Sequence, residues 1–405
     1  MFAVKKTTVA TAIAVLCSVA PLAQGQTTTV QFYGKLYPQV TSYALGEGSS
    51  VGTTVSTLVK PITARATSSS GQGMESSNSY IGLRGAEDLG GGMSAIFQLE
   101  GAINVDDGTS PKNILFNRDT FVGLKGNFGT IKLGGRMDTV YKVLADQIGF
   151  FGVSSGNNVH SSYILAQGGF GSSGAERFHE RPNNTVMYAS PDVAGFQALL
   201  GYSLGEVANS RTLGNIYSVG GKYDKGPVYL ALAYEQHIGL FGGSNNVAAS
   251  LGNLTTLGAE SKDGSVRATA RYAFATGTQV EVDVAHTKLE ETGGLVGHFQ
   301  NYRHNAILIS AEQKLGLWTI AGSLGHSQAG SCALVGGVAC STGGLDATMS
   351  NLGAAYTLSK RTRVFALYSN LHNGYSANFS NAASAPAPGV GQSLRQISAG
   401  LMQAF

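Results

Sequence analysis

Apolar and polar residues alternate along most of the chain with a period of two. The stretch at 266–274 carries Arg267, Thr269 and Arg271 on one face and, on the other, Val266, Ala268, Ala270, Tyr272 and Phe274. The same alternation recurs at 93–100, 228–235 and 280–284. Because successive side chains of a β-strand point to opposite faces, this pattern predicts strands with one apolar and one polar face.

Short turn segments separate these strands on one side, and long polar segments separate them on the other. The short segments lie at 87–92, 126–129, 190–195, 223–227, 275–278, 314–317 and 358–362. The long Gly/Ser/Asn-rich segments lie at 46–76, 237–263, 328–347 and 373–391. If each short segment closes a hairpin, then adding the first and last strands predicts about sixteen strands.

Strands of this length, with short turns at one end and long loops at the other, are typical of outer-membrane barrels. Backbone polar groups in lipid must all be paired, so the sheet has to close on itself. The sequence therefore predicts an all-β, sixteen-stranded antiparallel transmembrane β-barrel with short periplasmic turns and long extracellular loops. The last strand should pair with the first, around 29–40, and present Ala399, Leu401 and Phe405 to lipid.

The composition agrees with a surface that water does not cover. Only 13% of the 405 residues are charged and 43% are hydrophobic, whereas soluble domains carry about 25% charge. After the N-terminus, no stretch has the ~20 apolar residues of a membrane helix. The net charge is +3, and no basic tail indicates a nucleic-acid partner.

The first 25 residues have the features of a secretory signal peptide. Lys5 and Lys6 form a basic region, an apolar run follows at 9–19, and small residues flank a cleavage site at 23–25. The mature chain is expected to start near Gln26, so that 26–405 is one barrel domain. The alternative, an N-terminal anchor helix, needs a longer apolar run.

Two cysteines, Cys332 and Cys340, remain once the signal is removed. An exported chain meets an oxidising compartment, which favours a disulfide between them. The alternative is two free thiols. Because no His or further Cys lies beside them, we predict no metal site there, and no cofactor is expected.

Several segments resemble the general porins of Gram-negative bacteria, especially the β-proteobacterial branch. They are "FYGKLY" at 32–37, the stretches 79–100 and 116–136, and the terminal Phe405. The resemblance implies a barrel, usually a homotrimer, through which ions and small hydrophilic solutes diffuse. It also implies contact with outer-membrane lipid and lipopolysaccharide. In such porins the terminal aromatic residue, here Phe405, is the signal that the barrel-assembly machinery reads.

The longest gap between predicted strands runs from about Arg136 to Asn184. A loop this long in a compact fold is usually functional. The resemblance implies that this third loop, about 136–183, folds into the barrel and narrows it. It makes Asp146 the candidate for the acidic element of the constriction.

The same resemblance implies a row of basic residues across the lumen from that loop. Arg84 alternates with the apolar Ile81 and Leu83, so periodicity also directs it inward, and Arg118 opposes Phe121 in the same way. The other two candidates are Arg181, which enters the next strand, and Lys35, which shares a face with two tyrosines. Opposed rows of acid and base set the ion preference of a pore. The alternative is that each charge merely solvates the wall.

Enzyme motifs are present only in loop-like sequence. "GVSSG" at 152–156 fits the G-x-S-x-G pattern with Ser154 as nucleophile, and "GFGSSG" at 169–174 fits G-x-G-x-x-G. Neither has the strand and helix that its chemistry requires. The histidines at 160, 179 and 237 lack metal-ligand spacing.

The sequence thus favours a passive outer-membrane porin with a mild preference for anions. The first alternative is a substrate-specific channel with a binding track in its lumen, and the second is a membrane-embedded hydrolase. A plugged transporter of about twenty-two strands would not fit the chain length.

Overall fold

The computed structural model describes residues 28–76, 78–145, 147–148, 150, 163–166, 169, 178, 181–240, 247–252, 260–380 and 387–405. The predicted signal segment, 1–25, lies outside the described residues. The strands are β1 (Thr28–Leu36), β2 (Gln39–Leu45), β3 (Ser69–Glu75), β4 (Tyr80–Gly90), β5 (Met93–Ala102), β6 (Thr120–Gly126), β7 (Gly129–Gly135), β8 (Thr185–Ala189), β9 (Phe196–Ser203), β10 (Ile216–Lys225), β11 (Val228–Ile238), β12 (Glu260–Ala273), β13 (Thr278–Thr292), β14 (Phe299–Leu315), β15 (Trp318–Ser327), β16 (Ser331–Leu334), β17 (Ala347–Ser359), β18 (Thr362–Asn373) and β19 (Leu394–Ala404).

Helical structure is confined to four short segments of the described chain. The α-helices are α1 (Val140–Val143) and α2 (Tyr163–Ala166), and the 3₁₀ helices span Pro111–Asn113 and Ala249–Leu251. No helix in this part of the chain is long and apolar enough to cross a membrane.

The strands form one closed antiparallel sheet. Three barrel strands are interrupted, since β1 continues into β2, β3 into β4, and β15 into β16, so the barrel has 16 strands. The last strand, β19, pairs with both halves of the first: Ala404 lies opposite Lys35, and Gly400 opposite Gln39. The predicted closed barrel is confirmed.

All seven predicted hairpin turns are present at one end of the barrel. Each joins two strands adjacent in sequence, for example β10 to β11 and β14 to β15. Glycine is needed in these two turns because Gly226 and Gly316 have φ angles of +62° and +60°. The long connections lie at the opposite end, which we call the loop end.

One long connection is shorter than the sequence indicates. The Gly/Ser-rich segment 46–76 contains β3, whose sequence SSGQGME shows no apolar alternation. This strand forms because β2 supplies its hydrogen-bond partners, with Leu45 opposite Ser69 and Gln39 opposite Glu75. The loop proper is therefore 46–68.

The two faces of each strand differ as the alternation predicts. On β12, Val266 is 41% exposed, whereas the adjacent Arg267 is 2% exposed. The first barrel strand behaves alike, with Phe32 exposed and Tyr33 buried. The apolar face is thus directed outward, towards lipid, and the polar face inward, towards the lumen.

The C-terminus completes the outer face at the closing pair of strands. Phe405 exchanges backbone hydrogen bonds with Gly34 at 3.1 and 3.3 Å, and its ring centroid lies 5.5 Å from that of Phe32. Leu401 shares its outward face. At the loop end, Cys332 and Cys340 form a disulfide with Cα atoms 5.8 Å apart.

Candidate functional site

Arg84 lies on the inner face of β4 and is held by side chains of β1. Its Nε and Nη2 atoms donate to Oε1 of Gln31 at 3.0 and 2.8 Å, and its Cζ lies 4.5 Å from the centroid of the Tyr33 ring. Gln31 is also its register partner. Because these contacts are neutral and the side chain is exposed, its positive charge faces the lumen.

Lys35 lies farther along the same inner face, between two tyrosines. Its Nζ is 5.7 Å from the ring centroids of Tyr37 and Tyr80. Arg363 of β18 reaches the same place and donates to the hydroxyl of Tyr37 at 3.0 Å. Sequence reasoning missed Arg363, although its two-residue spacing from the buried Phe365 could have identified its face.

Arg118 precedes β6 and turns towards β4 and β5. Its Nε donates to Oε1 of Glu100, and its Cζ lies 4.7 Å from the centroid of the Tyr80 ring. The other oxygen of Glu100 accepts a hydrogen bond from the Tyr33 hydroxyl at 2.8 Å. The charge of Arg118 is therefore compensated, unlike that of Arg84.

The alternation that directs Arg118 inward also predicts that Phe121 faces outward, and this second prediction is wrong. Phe121 does not face lipid: it is 7% exposed and belongs to the same buried core cluster as Met137 of the third loop. Its register partner is Gln98, on the inner face. The inner face is apolar here because the loop packs on it, and Arg118 precedes the regular strand, so the two-residue period does not reach it.

Arg181, near the end of the third loop, forms an ion pair with an acidic residue near the start of that loop. Its Nε lies 2.9 Å from Oδ1 of Asp138, and Nζ of Lys142 lies 3.1 Å from the same atom. Burial alone would raise the pKa of the Asp138 carboxyl, but the cations Arg181 and Lys142 outweigh it and hold that pKa below its usual range. Asp138 thus contacts two cations, and Asp119, whose Oδ1 accepts the backbone N–H of Asp138 at 3.2 Å, adds a second carboxylate beside Arg181.

The third loop spans 136–184, and its first part is bound to the inner face of the wall opposite Arg84. The backbone N–H of Tyr141 donates to Oγ of Ser218 at 3.0 Å, and its hydroxyl lies 2.9 Å from Oγ of Ser265. The hydroxyl of Tyr229 donates to the carbonyl of Leu144 at 2.9 Å. These contacts join the loop to β10, β11 and β12.

Later residues of the loop reach farther round the wall. A Cβ on Gly353 of β17 would lie 2.1 Å from the ring of Phe150, so only glycine leaves room for that ring. A Cβ on Gly325 of β15 would likewise lie 2.8 Å from the side chain of Ile164 of α2. The candidate Asp146 lies outside the described residues.

Acidic residues of the wall beneath the loop are buried. Glu281 accepts the backbone N–H of Gln147 at 2.9 and 3.0 Å. Asp283 accepts hydrogen bonds from Arg267, at 3.3 Å, and from Thr269. Glu281 is 1% exposed and Asp283 0% exposed, so these carboxylates do not face the open lumen.

The enzyme motifs at 152–156 and 169–174 lie largely outside the described residues, as do the histidines at 160 and 179. His237 is buried, with its Nε2 2.9 Å from Oε1 of Glu235. Among the described residues, no group of three or more His, Cys, Asp or Glu side chains could hold a metal ion.

Comparison with known proteins gives one consistent family. A family model described as Gram-negative porin matches residues 10–375. Outer membrane porin protein 32 of Delftia acidovorans is 35% identical over 41% of this chain and 47% of its own length. An outer membrane porin protein of Bordetella pertussis is 29% identical over 78% of this chain and 80% of its own length.

Among solved structures, an anion-selective porin from Comamonas acidovorans superposes with a TM-score of 0.67 at 23% sequence identity. It covers 94% of this chain and 100% of its own. The chain spans about half the length of the first of the two curated relatives and 80% of the second.

Proposed function

The chain belongs to the Gram-negative porin family and forms a multi-pass β-barrel of the outer membrane, and we propose that it is a channel for passive diffusion of ions and small hydrophilic solutes with a mild preference for anions. The observation that carries the preference is the difference in exposure between acids and bases. Arg84 is exposed, and the side chain of Arg181 is 22% exposed. The carboxylates of Glu281 and Asp283, in contrast, are buried under the loop.

The physical reason for the preference is the incomplete compensation of the basic wall. Glu100 neutralises Arg118, and Asp138 and Asp119 together balance Arg181 and Lys142. Among the described residues, Arg84 contacts the neutral Gln31 and Tyr33. A net positive wall attracts anions, and mobile ions screen it with a Debye length of about 10 Å at 0.1 M. The preference is therefore largest in dilute salt.

The third loop is proposed to be the constriction. Its described residues bind the inner face from β10 to β17, which leaves the passage between the loop and the basic wall. Lys35, Arg84, Arg118 and Arg181 are proposed to form the basic side of that passage, and Asp146 its acidic element.

A planar-bilayer recording under a salt gradient tests this function. Purified protein should open ion-conducting pores, and the zero-current potential in dilute salt should have the sign of anion preference. Closed membranes would refute the channel, and a cation-selective potential would refute the proposed charge balance.

A substrate-specific channel is the second candidate, and one observation favours it. Three arginine–tyrosine contacts line the basic wall: Arg84 with Tyr33, Arg118 with Tyr80, and Arg363 with Tyr37. Cation and ring together suit an organic anion that carries an apolar group. Such a track predicts concentration-dependent block of the single-channel current by that solute, whereas a passive pore predicts none.

The partners proposed for this chain follow from the family. They are two further copies in a homotrimer, outer-membrane lipid and lipopolysaccharide, and the barrel-assembly machinery acting on Phe405. Cross-linking in detergent distinguishes a trimer from a single barrel. No catalytic role is proposed, because the hydrolase alternative depended on the motif around Ser154, outside the described residues.

A further inference from the structure

The loop 46–68, which we call the bridging loop, extends across the loop end of the barrel. It joins β2 to β3, next to the closing pair of strands. Ala248 belongs to the loop between β11 and β12, half-way round the ring. The backbone N–H of Ala248 donates to the carbonyl of Leu58 at 3.2 Å. Loops from opposite sides of the ring therefore meet over the lumen.

The tip of the bridging loop is fixed by paired hydrogen bonds. The backbone N–H of Thr57 donates to the carbonyl of Ser341 at 3.0 Å, and Oγ1 of Thr57 accepts the Ser341 N–H at 2.9 Å. Oγ of Ser56 donates to the same carbonyl at 2.7 Å, and the N–H of Ser56 donates to Oγ of Ser376 at 2.8 Å. Two further loops, 335–346 and 374–393, therefore hold the tip.

Leu58 anchors the tip by burial. It is 0% exposed and lies in a core cluster that includes Val247, Phe299 and Leu345, which come from different loops and strands. In contrast, Val51 of the same loop is 61% exposed. An apolar side chain that is fully buried in a largely exposed loop acts as an anchor, because its release would expose the whole side chain to water.

The base of the bridging loop is closed on itself. The N–H of Gly48 donates to the carbonyl of Ala66 at 2.8 Å. Arg65 donates to the carbonyl of Gly48 at 2.8 Å and pairs with Glu47 at 2.6 Å. The bridging loop is thus held by contacts at its base and at its tip. These contacts favour a fixed position over the lumen.

We propose that the bridging loop, anchored by Leu58, obstructs the extracellular entrance of the channel and contributes to the size limit for uncharged solutes, in series with the constriction of the third loop. The inference rests on the proposed channel function. It assigns part of the size selection to an element separate from the basic wall, since Ser56, Thr57 and Leu58 carry no charge. Ion preference and size limit should therefore change independently.

Liposome swelling with neutral sugars of increasing size tests the proposal. Leu58→Asp places a carboxylate in the apolar socket and should release the tip. The swelling rate with a trisaccharide, relative to a pentose, should then rise several-fold over the parent. Val51→Asp introduces the same charge into an exposed part of the same loop and should leave the size dependence as in the parent.

A shortened loop provides a second variant that does not depend on tolerance of a buried charge. Replacing residues 51–63 by a Gly-Ser-Gly turn keeps the Gly48–Ala66 hydrogen bond and removes the tip. It should raise the relative trisaccharide rate at least as much as Leu58→Asp. If the shortened protein folds, conducts ions and retains the parent's size dependence, the proposal is overturned. If the parent itself does not conduct, the proposed channel function fails instead.

Discussion

Replacing Arg84 and Arg118 together by serine should move the zero-current potential towards cation preference. Arg84→Ser removes one positive charge, because the partners of Arg84 are neutral. Arg118→Ser removes the partner of Glu100 and leaves that carboxylate uncompensated. The wall thus becomes more negative by about two charges.

The size of the effect follows from Coulomb's law with screening. A unit charge about 7 Å from an ion in water contributes about 0.6 kcal/mol, and screening at 0.1 M salt reduces this to about 0.3 kcal/mol. Two charges, acting with opposite sign on anion and cation, change the permeability ratio by about 1 kcal/mol, or about fivefold. Under a tenfold salt gradient the potential should therefore shift by about 30 mV.

Arg395→Ser is the matched control, because Arg395 is exposed and lies on the same outward face of β19 as Ile397. It removes the same charge from outside the lumen and should leave the potential unchanged. If the Arg84/Arg118 double variant keeps the parent's potential in dilute salt, these arginines do not line the passage. Arg84 and Arg118 would then be solvated charges on the barrel wall that do not affect the passing ions.

Three further predictions concern other parts of the barrel. Cys332 and Cys340 should resist alkylation until reductant is added, and immediate labelling would contradict the disulfide. Channel function should survive reduction, because a disulfide that closes so short a loop contributes about 2–3 kcal/mol at most to the free energy of unfolding. Asp138→Asn should strengthen the anion preference measured by the zero-current potential, since it removes one of the carboxylates beside Arg181 and Lys142. The pKa of Asp138 lies below its usual range, so its contribution to stability is present at neutral pH and is lost only as pH falls through that lowered pKa. Burial raises the pKa of the neighbouring Asp119 to about 6, so mild acidification should neutralise Asp119 and strengthen the preference. Gly353→Val should displace the aromatic ring packed there and increase open-channel current noise, whereas Gly322→Val, whose added Cβ meets only one atom, at 3.5 Å, should not.

The fold could be predicted from sequence because alternation and turn chemistry are local signals. Val266 and Arg267 already identify outer and inner faces, and the short Gly-rich turns fix the hairpin order. β3 escaped prediction, because its Gly/Ser sequence becomes a strand only through pairing with β2. Local patterns do not contain that information.

The lumen was harder to predict, for two physical reasons. Phe121 is apolar on an inner face because a loop distant in sequence packs on it, which defeats the rule that polar residues face inward. Leu58 carries no signal at all in its own segment, since it belongs to a core cluster with residues distant in sequence, among them Val247, Phe299 and Leu345. The shape of the passage therefore depends on contacts between loops that are distant in sequence, and the periodicity of the sequence does not predict these contacts.

The closing pair of strands has a consequence for how the chain reaches its folded state. The hydroxyls of Thr41 and Ser398, 2.7 Å apart, come from residues separated by 357 positions. Loops that long make closure slow, because the entropy of joining distant segments is lost before their contacts form. Until β19 arrives, the first strand presents an unpaired edge that can pair with another chain. A chain truncated before residue 394 should therefore aggregate rather than form a smaller barrel, and folding of the full chain should be limited by the arrival of its last eleven-residue strand.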